Sequence, residues 1–386
     1  MTAAAARTAR TARPAGTARP ARTARPARTA RTARTARTAR TARTARTAKT
    51  ARGVRRHRLI GGAVRAVVGL ALLLAAGLAA PVTGPAHAGD AWPTRPVTLI
   101  VPSGAGGGTD QTGRLLAHRL EARFGQPFTV INQGQGGGVV GLGTLKDAAP
   151  DGYTLGILYN FAHYAPMGQA DFQVDDFTPI AQYNADPAAI HVRADSPWPD
   201  LTTALEALKG APDGYTIACA GGCGGSWPMA IATLLEARAV DLARVRMIPS
   251  QGAAASLQDL AAGGVDVVPC SLPEAAALRQ AGVVRTLAVF GRERLAAFPD
   301  VPTLAEQLGV TLDLGAWRGL VGPAGLPGPV ADRLEAAMRD IVHDPGFRAE
   351  MTARGFGLAW RDATAFARFM RAQETQVRAV IPRLGL

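Results

Sequence analysis

The chain has 386 residues, with 43 Lys plus Arg against 29 Asp plus Glu and a formal net charge of +14. That excess is confined to the first 88 residues, which hold 19 of the basic residues and no acidic one. From Gly89 to Leu386 there are 24 basic and 29 acidic residues, a net of −5. The basic pI therefore does not describe a nucleic-acid surface, and the remaining 298 residues suffice for two domains.

Residues 1–53 are a low-complexity Thr-Ala-Arg repeat with too few large apolar side chains for a core, and disorder is expected there. Residues 54–88 read as a signal peptide. Arg55-Arg56-His57-Arg58 is the basic part, Ala66 to Ala80 the apolar part and Ala86-His87-Ala88 the cleavage site. A membrane anchor is the alternative, because 59–82 is about long enough to span a bilayer, although Arg65 interrupts it. A start at Val54, leaving the repeat untranslated, is a further possibility. An exported location with the leader removed near Ala88 is expected.

The mature chain alternates strands and helices. Val97 to Val101 is a buried-type strand, followed by a helix over about 110–124 with Leu116, Leu120 and Phe124 on one face and Gly125 at its end. Strand 128–131, a helix ending near Ala149 and strand 153–158 follow. Ala-Pro-Asp-Gly-Tyr-Thr occurs at 149–154 and again at 211–216, each copy leading into an apolar strand. Asp-Gly turns are common, but two lobes built alike also give this repetition. The second lobe continues with strand 216–219, helix 229–237, strand 245–249, helix 253–262 and strands 265–268 and 284–289. From Pro329 the chain reads as helices, with Leu334, Met338 and Ile341 inward. Such alternation predicts an α/β fold with a largely parallel sheet.

Four glycine-rich strand-to-helix loops carry the chemistry: Ser103 to Asp110, Asn132 to Gly138, Ala220 to Ser226 and Ser250 to Gly252. Helix first turns leave N–H groups unpaired and carry about half a positive charge, so such loops favour anions. Glycine lets the backbone approach the anion closely. No Lys or Arg lies in 101–113, 132–145, 220–235 or 250–264, so a carboxylate there is expected on backbone N–H, hydroxyls and water. A tight turn is the plain reading of any one loop; four at corresponding places favour a cleft. Enzyme motifs fail. Gly104 onward misses the dinucleotide fingerprint at Thr109, and no P-loop, H-E-x-x-H or G-x-S-x-G is present. No catalytic set, metal or cofactor is expected. Cys219 and Cys223 flank the third loop and are the closer pair, leaving one disulfide or three free thiols with Cys270 open.

Trp92-Pro-Thr-Arg-Pro-Val-Thr-Leu-Ile-Val-Pro with Gly106-Gly-Gly-Thr-Asp110 resembles the opening of tripartite tricarboxylate transporter solute receptors, the Bug family. So do Ala149 to Leu155, Leu260 to Asp266, Phe298 to Glu306, Trp317-Arg-Gly-Leu and Pro323 to Pro327, from Trp92 nearly to the C-terminus. The resemblance implies a type II periplasmic-binding-protein fold, two α/β lobes with a ligand cleft and two crossover strands near 190–193 and 317–320. Lobe 1 would span 89–192 and 317–386, and lobe 2 would span 193–316. The first two loops would grip a small organic carboxylate through Ser103, Gly104, Gly106, Gly107, Gly108, Asp110, Gly136, Gly137 and Gly138. Ser226, Ser250 and Asp266 would close on its far end, with Tyr159 and Asn160 as neighbours. Membrane permease subunits would be the partners of a monomer. A sensor-kinase partner or an exported α/β enzyme are the other readings. This chain departs from the family at Pro249-Ser-Gln-Gly252, where Pro-Tyr-Lys-Gly is common, and at Cys223, where small residues are usual.

Overall fold

The computed structural model describes residues 92–385; the repeat and the segment expected to be a signal peptide lie outside the described residues. Strand β1 (Val97–Val101), helix α1 (Gly108–Phe124) and strand β2 (Phe128–Asn132) form the first unit. Helix α2 (Val139–Lys146) and strand β3 (Thr154–Leu158) follow. Gly125 adopts φ 69° and ends α1, as the sequence suggests. The strands run parallel, with β1 between β2 and β3. Leu99 and Ile100, which point to opposite faces, are both buried, as a strand covered on both faces requires.

The long strand β4 (Phe177–Pro187) and the short β5 (Ala189–Arg193) then carry the chain into the second lobe. There, α3 (Leu201–Gly210), β6 (Thr216–Ala220), α4 (Ser226–Ala237), β7 (Arg246–Ser250), α5 (Ala253–Ala262), β8 (Val268–Cys270), α6 (Leu272–Gln280), β9 (Val284–Val289) and α7 (Leu304–Leu308) succeed one another. Strand β10 (Gly315–Pro323) returns to the first sheet, and α8 (Gly328–His343), α9 (Pro345–Ala353), β11 (Leu358–Arg361) and α10 (Ala363–Leu384) complete it.

The first sheet has the order β11-β4-β10-β3-β1-β2. Its β1–β3 part is parallel, but β10 is antiparallel to both β3 and β4, and β11 is antiparallel to β4. The sheet is therefore mixed rather than largely parallel. The reason is connectivity: two strands that leave for and return from another lobe must run in opposite senses. They cross at Pro187–Ala188 and Leu314–Gly315, where Ala188 N–H donates to Leu314 O at 2.9 Å. β5 already belongs to the second sheet, paired with β8 and β9, so the crossing precedes the expected 190–193. A Cβ on Gly315 would lie 2.0 Å from Asp186 O, so the crossing strands meet backbone to backbone.

Each lobe has its own core. In lobe 1, α1, α8 and α9 bury Leu116, Leu120, Leu334, Met338 and Phe347 on one sheet face. Leu142, Trp317, Phe366 and Ile381 cover the other. In lobe 2, Ile217, Leu234, Leu257, Val268 and Ala288 form the centre. The two Ala-Pro-Asp-Gly-Tyr-Thr copies enter β3 and β6 by different turns, with Gly152 at φ 84° and Pro212–Gly214 in a 3-10 turn. Among the described residues no helix is long and apolar enough to cross a membrane.

Candidate functional site

The C-terminal ends of β1, β6 and β7 and the N-terminal ends of α1, α4, α5 and α6 converge between the lobes. They enclose a cavity of about 40 Å³ whose wall includes Ser103, Gly104, Gly107, Gly108, Thr109, Tyr159, Ser226, Trp227, Glu274 and Arg318. Helix N-termini aimed at one point make this the most anion-attracting place their backbones can build.

The first loop is held from beneath by polar side chains. Asp110 accepts from Gly106 N–H at 2.9 Å and from Asn132 Nδ2 at 2.9 Å, and pairs with Arg114 at 2.9 Å. Asn132 Nδ2 also donates to Ser103 O at 3.2 Å. Burial pushes the Asp110 carboxyl up, but Arg114, the Gly106 amide and Asn132 outweigh it and hold it below the ordinary value. The Tyr159 hydroxyl donates to Pro102 O at 2.7 Å, and that of Tyr164 donates to Gly137 O at 2.8 Å, tying the first two loops together. Burial raises Tyr159 to about 12, so it remains a hydroxyl donor. Ser103 Oγ, buried in the cavity wall, has no hydrogen-bond partner among the described residues.

The second-lobe side is clamped differently. Cys219 and Cys223 form a disulfide with Cα atoms 4.6 Å apart, and Cys270 is free and buried. Gly221 and Gly222 take φ of 83° and 93° inside this small ring, and Ser226 opens α4 behind it. His163 of lobe 1 packs under the loop. Both its ring nitrogens lack partners among the described residues, and burial holds its pKa near 3. Among the described residues, two backbone amides of lobe 1 donate across to lobe 2: Gly104 N–H to Gln251 O at 3.0 Å, and Gly108 N–H to the side-chain Oε1 of Glu274 at 2.7 Å.

Arg318 of β10 forms the floor. It is 1% exposed and its guanidinium donates to Thr109 Oγ1 at 3.0 Å and to Asn184 and Asp186. Its Nη2 is 3.8 Å from Glu274 Oε1. A Cβ on Gly108 would lie 2.4 Å from that Nη2, so only glycine lets α1 begin against the guanidinium.

The structure thus brings Ser103, Gly104, Gly107, Gly108, Tyr159 and Ser226 into one cavity. Gly106 and Asp110 shape the first loop beneath it. Gly136, Gly137 and Ser250 line a neighbouring opening with Gly222 and Cys223, and Gly138 lies against the Tyr159 and Tyr164 hydroxyls. Asn160 is buried with neither amide atom partnered among the described residues. Asp266 is not brought to the cleft. It accepts from Thr216 N–H at 2.7 Å and Thr216 Oγ1 at 2.8 Å, at the start of β6, whereas the cavity lies at that strand's end.

Arg318 and Glu274 escape a search confined to the loops, because neither lies in one. Signals existed: Arg318 sits within Trp317-Arg-Gly-Leu, and Ser271-Leu-Pro-Glu274 has capping-box spacing. Among the described residues no group of three or more His, Cys, Asp and Glu is placed to hold a metal.

Residues 112–386 match the model of the tripartite tricarboxylate transporter family receptor. A UPF0065 protein of Bordetella pertussis is 32% identical over 330 residues, covering 84% of this chain and 97% of that protein. MatC of Rhodopseudomonas palustris, solved with bound malate, superposes with a TM-score of 0.69 at 27% identity, over 75% of this chain and all of its own. A second R. palustris protein, solved with adipate, gives 0.70 at 25% identity, over 76% and 98%. These matches and the two-lobed periplasmic-binding-protein fold agree: the chain belongs to the tripartite tricarboxylate transporter receptor family, the Bug group of solute-binding proteins.

Proposed function

We propose that this protein is an exported receptor that captures a small organic carboxylate between its lobes and presents it to the permease subunits of a tripartite transporter. The observation that carries this reading is the convergence of helix N-termini on one cavity, with the unpartnered Ser103 hydroxyl in its wall and the Arg318 guanidinium at its base. The carboxylates held by two structural neighbours support the ligand class. In this reading the protein acts as a monomer, its leader is removed near Ala88, and it binds and releases without covalent chemistry. A thermal-shift screen of di-, tri- and aromatic carboxylates and amino acids tests it. A ligand at a hundredfold excess over its Kd stabilises the fold by about 2.7 kcal/mol, and silence across every acid would reject the reading.

A further inference from the structure

The side chains lining the cavity do not sum to a positive charge. Arg318 is already paired with Asp186, and its other carboxylate neighbour is Glu274; the side chains of all three are at most 4% exposed. Of the three, Arg318 and Glu274 line the cavity and their charges cancel, while Asp186 stands behind Arg318 and brings the buried cluster to −1. Among the described residues no charged side chain besides Arg318 and Glu274 lines the cavity.

Glu274 is also fixed in place. Its Oε2 accepts from Ser271 N–H at 3.0 Å and from Ser271 Oγ at 2.9 Å, the capping box of α6. Its Oε1 faces the other lobe and accepts from Gly108 N–H, at the first turn of α1. A carboxylate thus already sits at the N-terminus of α1 in lobe 1, and it belongs to lobe 2. Swinging it aside would uncap α6. A ligand carboxylate taking the Gly108 amide must therefore settle beside Glu274, where like charges at low dielectric repel strongly. A dicarboxylate adds two negative charges to this wall, whereas an amino acid brings an ammonium that Glu274 Oε1 can accept from once lobe separation, with the Ser271 bonds kept, carries it off Gly108.

Resting on the receptor reading above, we propose that Glu274 sets the specificity of the cleft and selects ligands that carry a protonated amine beside the carboxylate, against plain dicarboxylates. Gly108 and Ser103 would take the carboxylate, and Glu274 the ammonium.

The test is calorimetry on the full chain with length-matched acids: succinate, 4-aminobutyrate and aspartate, then adipate, 6-aminohexanoate and 2-aminoadipate. At least one amine-bearing acid should bind tenfold or more tighter than the dicarboxylate of its length. Glu274→Gln keeps a capping-box residue and should fold, which a melting curve checks. In that variant the preference should shrink to within about threefold, or reverse. Equal or tighter binding of the dicarboxylate by the wild type would overturn the proposal while leaving the receptor reading intact. So would a preference for the amine that Glu274→Gln leaves unchanged. Failure of every acid to bind would instead reject the receptor reading, and this inference with it.

Discussion

The first and third cleft loops solve the same problem by different chemistry. Both are glycine-rich turns from a strand into a helix N-terminus. Pro102–Gly108 is held by Asp110, Asn132 and Tyr159, a web of side-chain hydrogen bonds to its backbone. Ala220–Gly225 is instead closed by the Cys219–Cys223 disulfide. The difference teaches that glycine supplies the shape but not the rigidity. A loop whose backbone must face a ligand needs an outside clamp, polar or covalent, because its own side chains are absent.

Arg318 lies beneath the cleft between the two loops and links Thr109 of lobe 1 to Glu274 of lobe 2, so its loss should have the largest effect. Arg318→Met leaves the buried Asp186 and Glu274 carboxylates without their cation and should cost about 3–5 kcal/mol in urea unfolding. A loss below about 1 kcal/mol would mean those carboxylates find other partners. Cys223→Ser tests the covalent clamp. A five-residue ring implies about 2 kcal/mol by chain entropy. A reductant should reproduce that loss in the wild type and leave the variant unmoved. Cys270 should not substitute, since burial pushes its thiol well above the ordinary value.

The polar clamp should show the smallest effect and a pH signature. Asp110→Asn removes charge-assisted bonds to Gly106 and Arg114 and should cost about 1.5 kcal/mol at neutral pH. Because the folded carboxyl is held below its unfolded value, this contribution is full above about pH 4 and fades as pH falls through the folded value. His163 and His191, both held near 3 by burial, also destabilise the fold in acid. They contribute alike to wild type and variant, so the difference between the two pH curves isolates Asp110. A constant difference down to pH 2 would contradict the assignment.

Much of this design was legible in the sequence. The β1–α1 and β7–α5 units are readable because periodicity, a Gly stop and short loops are local signals, and α5 spans 253–262 as expected. The crossing strands β4 and β10 were harder. They contain polar residues such as Gln182, Asn184, Asp186 and Arg318, all buried, so hydropathy does not mark them as strands. Their burial is compensated by pairing across 132 residues of sequence, from Asp186 to Arg318, which no local pattern reports. The same distance hid the cleft's charge: the loops lack cations, yet one arrives from the hinge. Asp266 shows the converse, a polar residue in a recognisable motif whose partner, Thr216, lies away from the cavity.

The two amide contacts between the lobes have a kinetic meaning. Gly104 and Gly108 each donate an N–H to an acceptor on the opposite lobe, Gln251 O and Glu274 Oε1. Those acceptors depart whenever the lobes part, while the amides inside β1 stay bonded until the whole fold opens. Deuterium uptake at these two glycines therefore counts hinge excursions and nothing slower, a clock for the open form written into the ligand site itself.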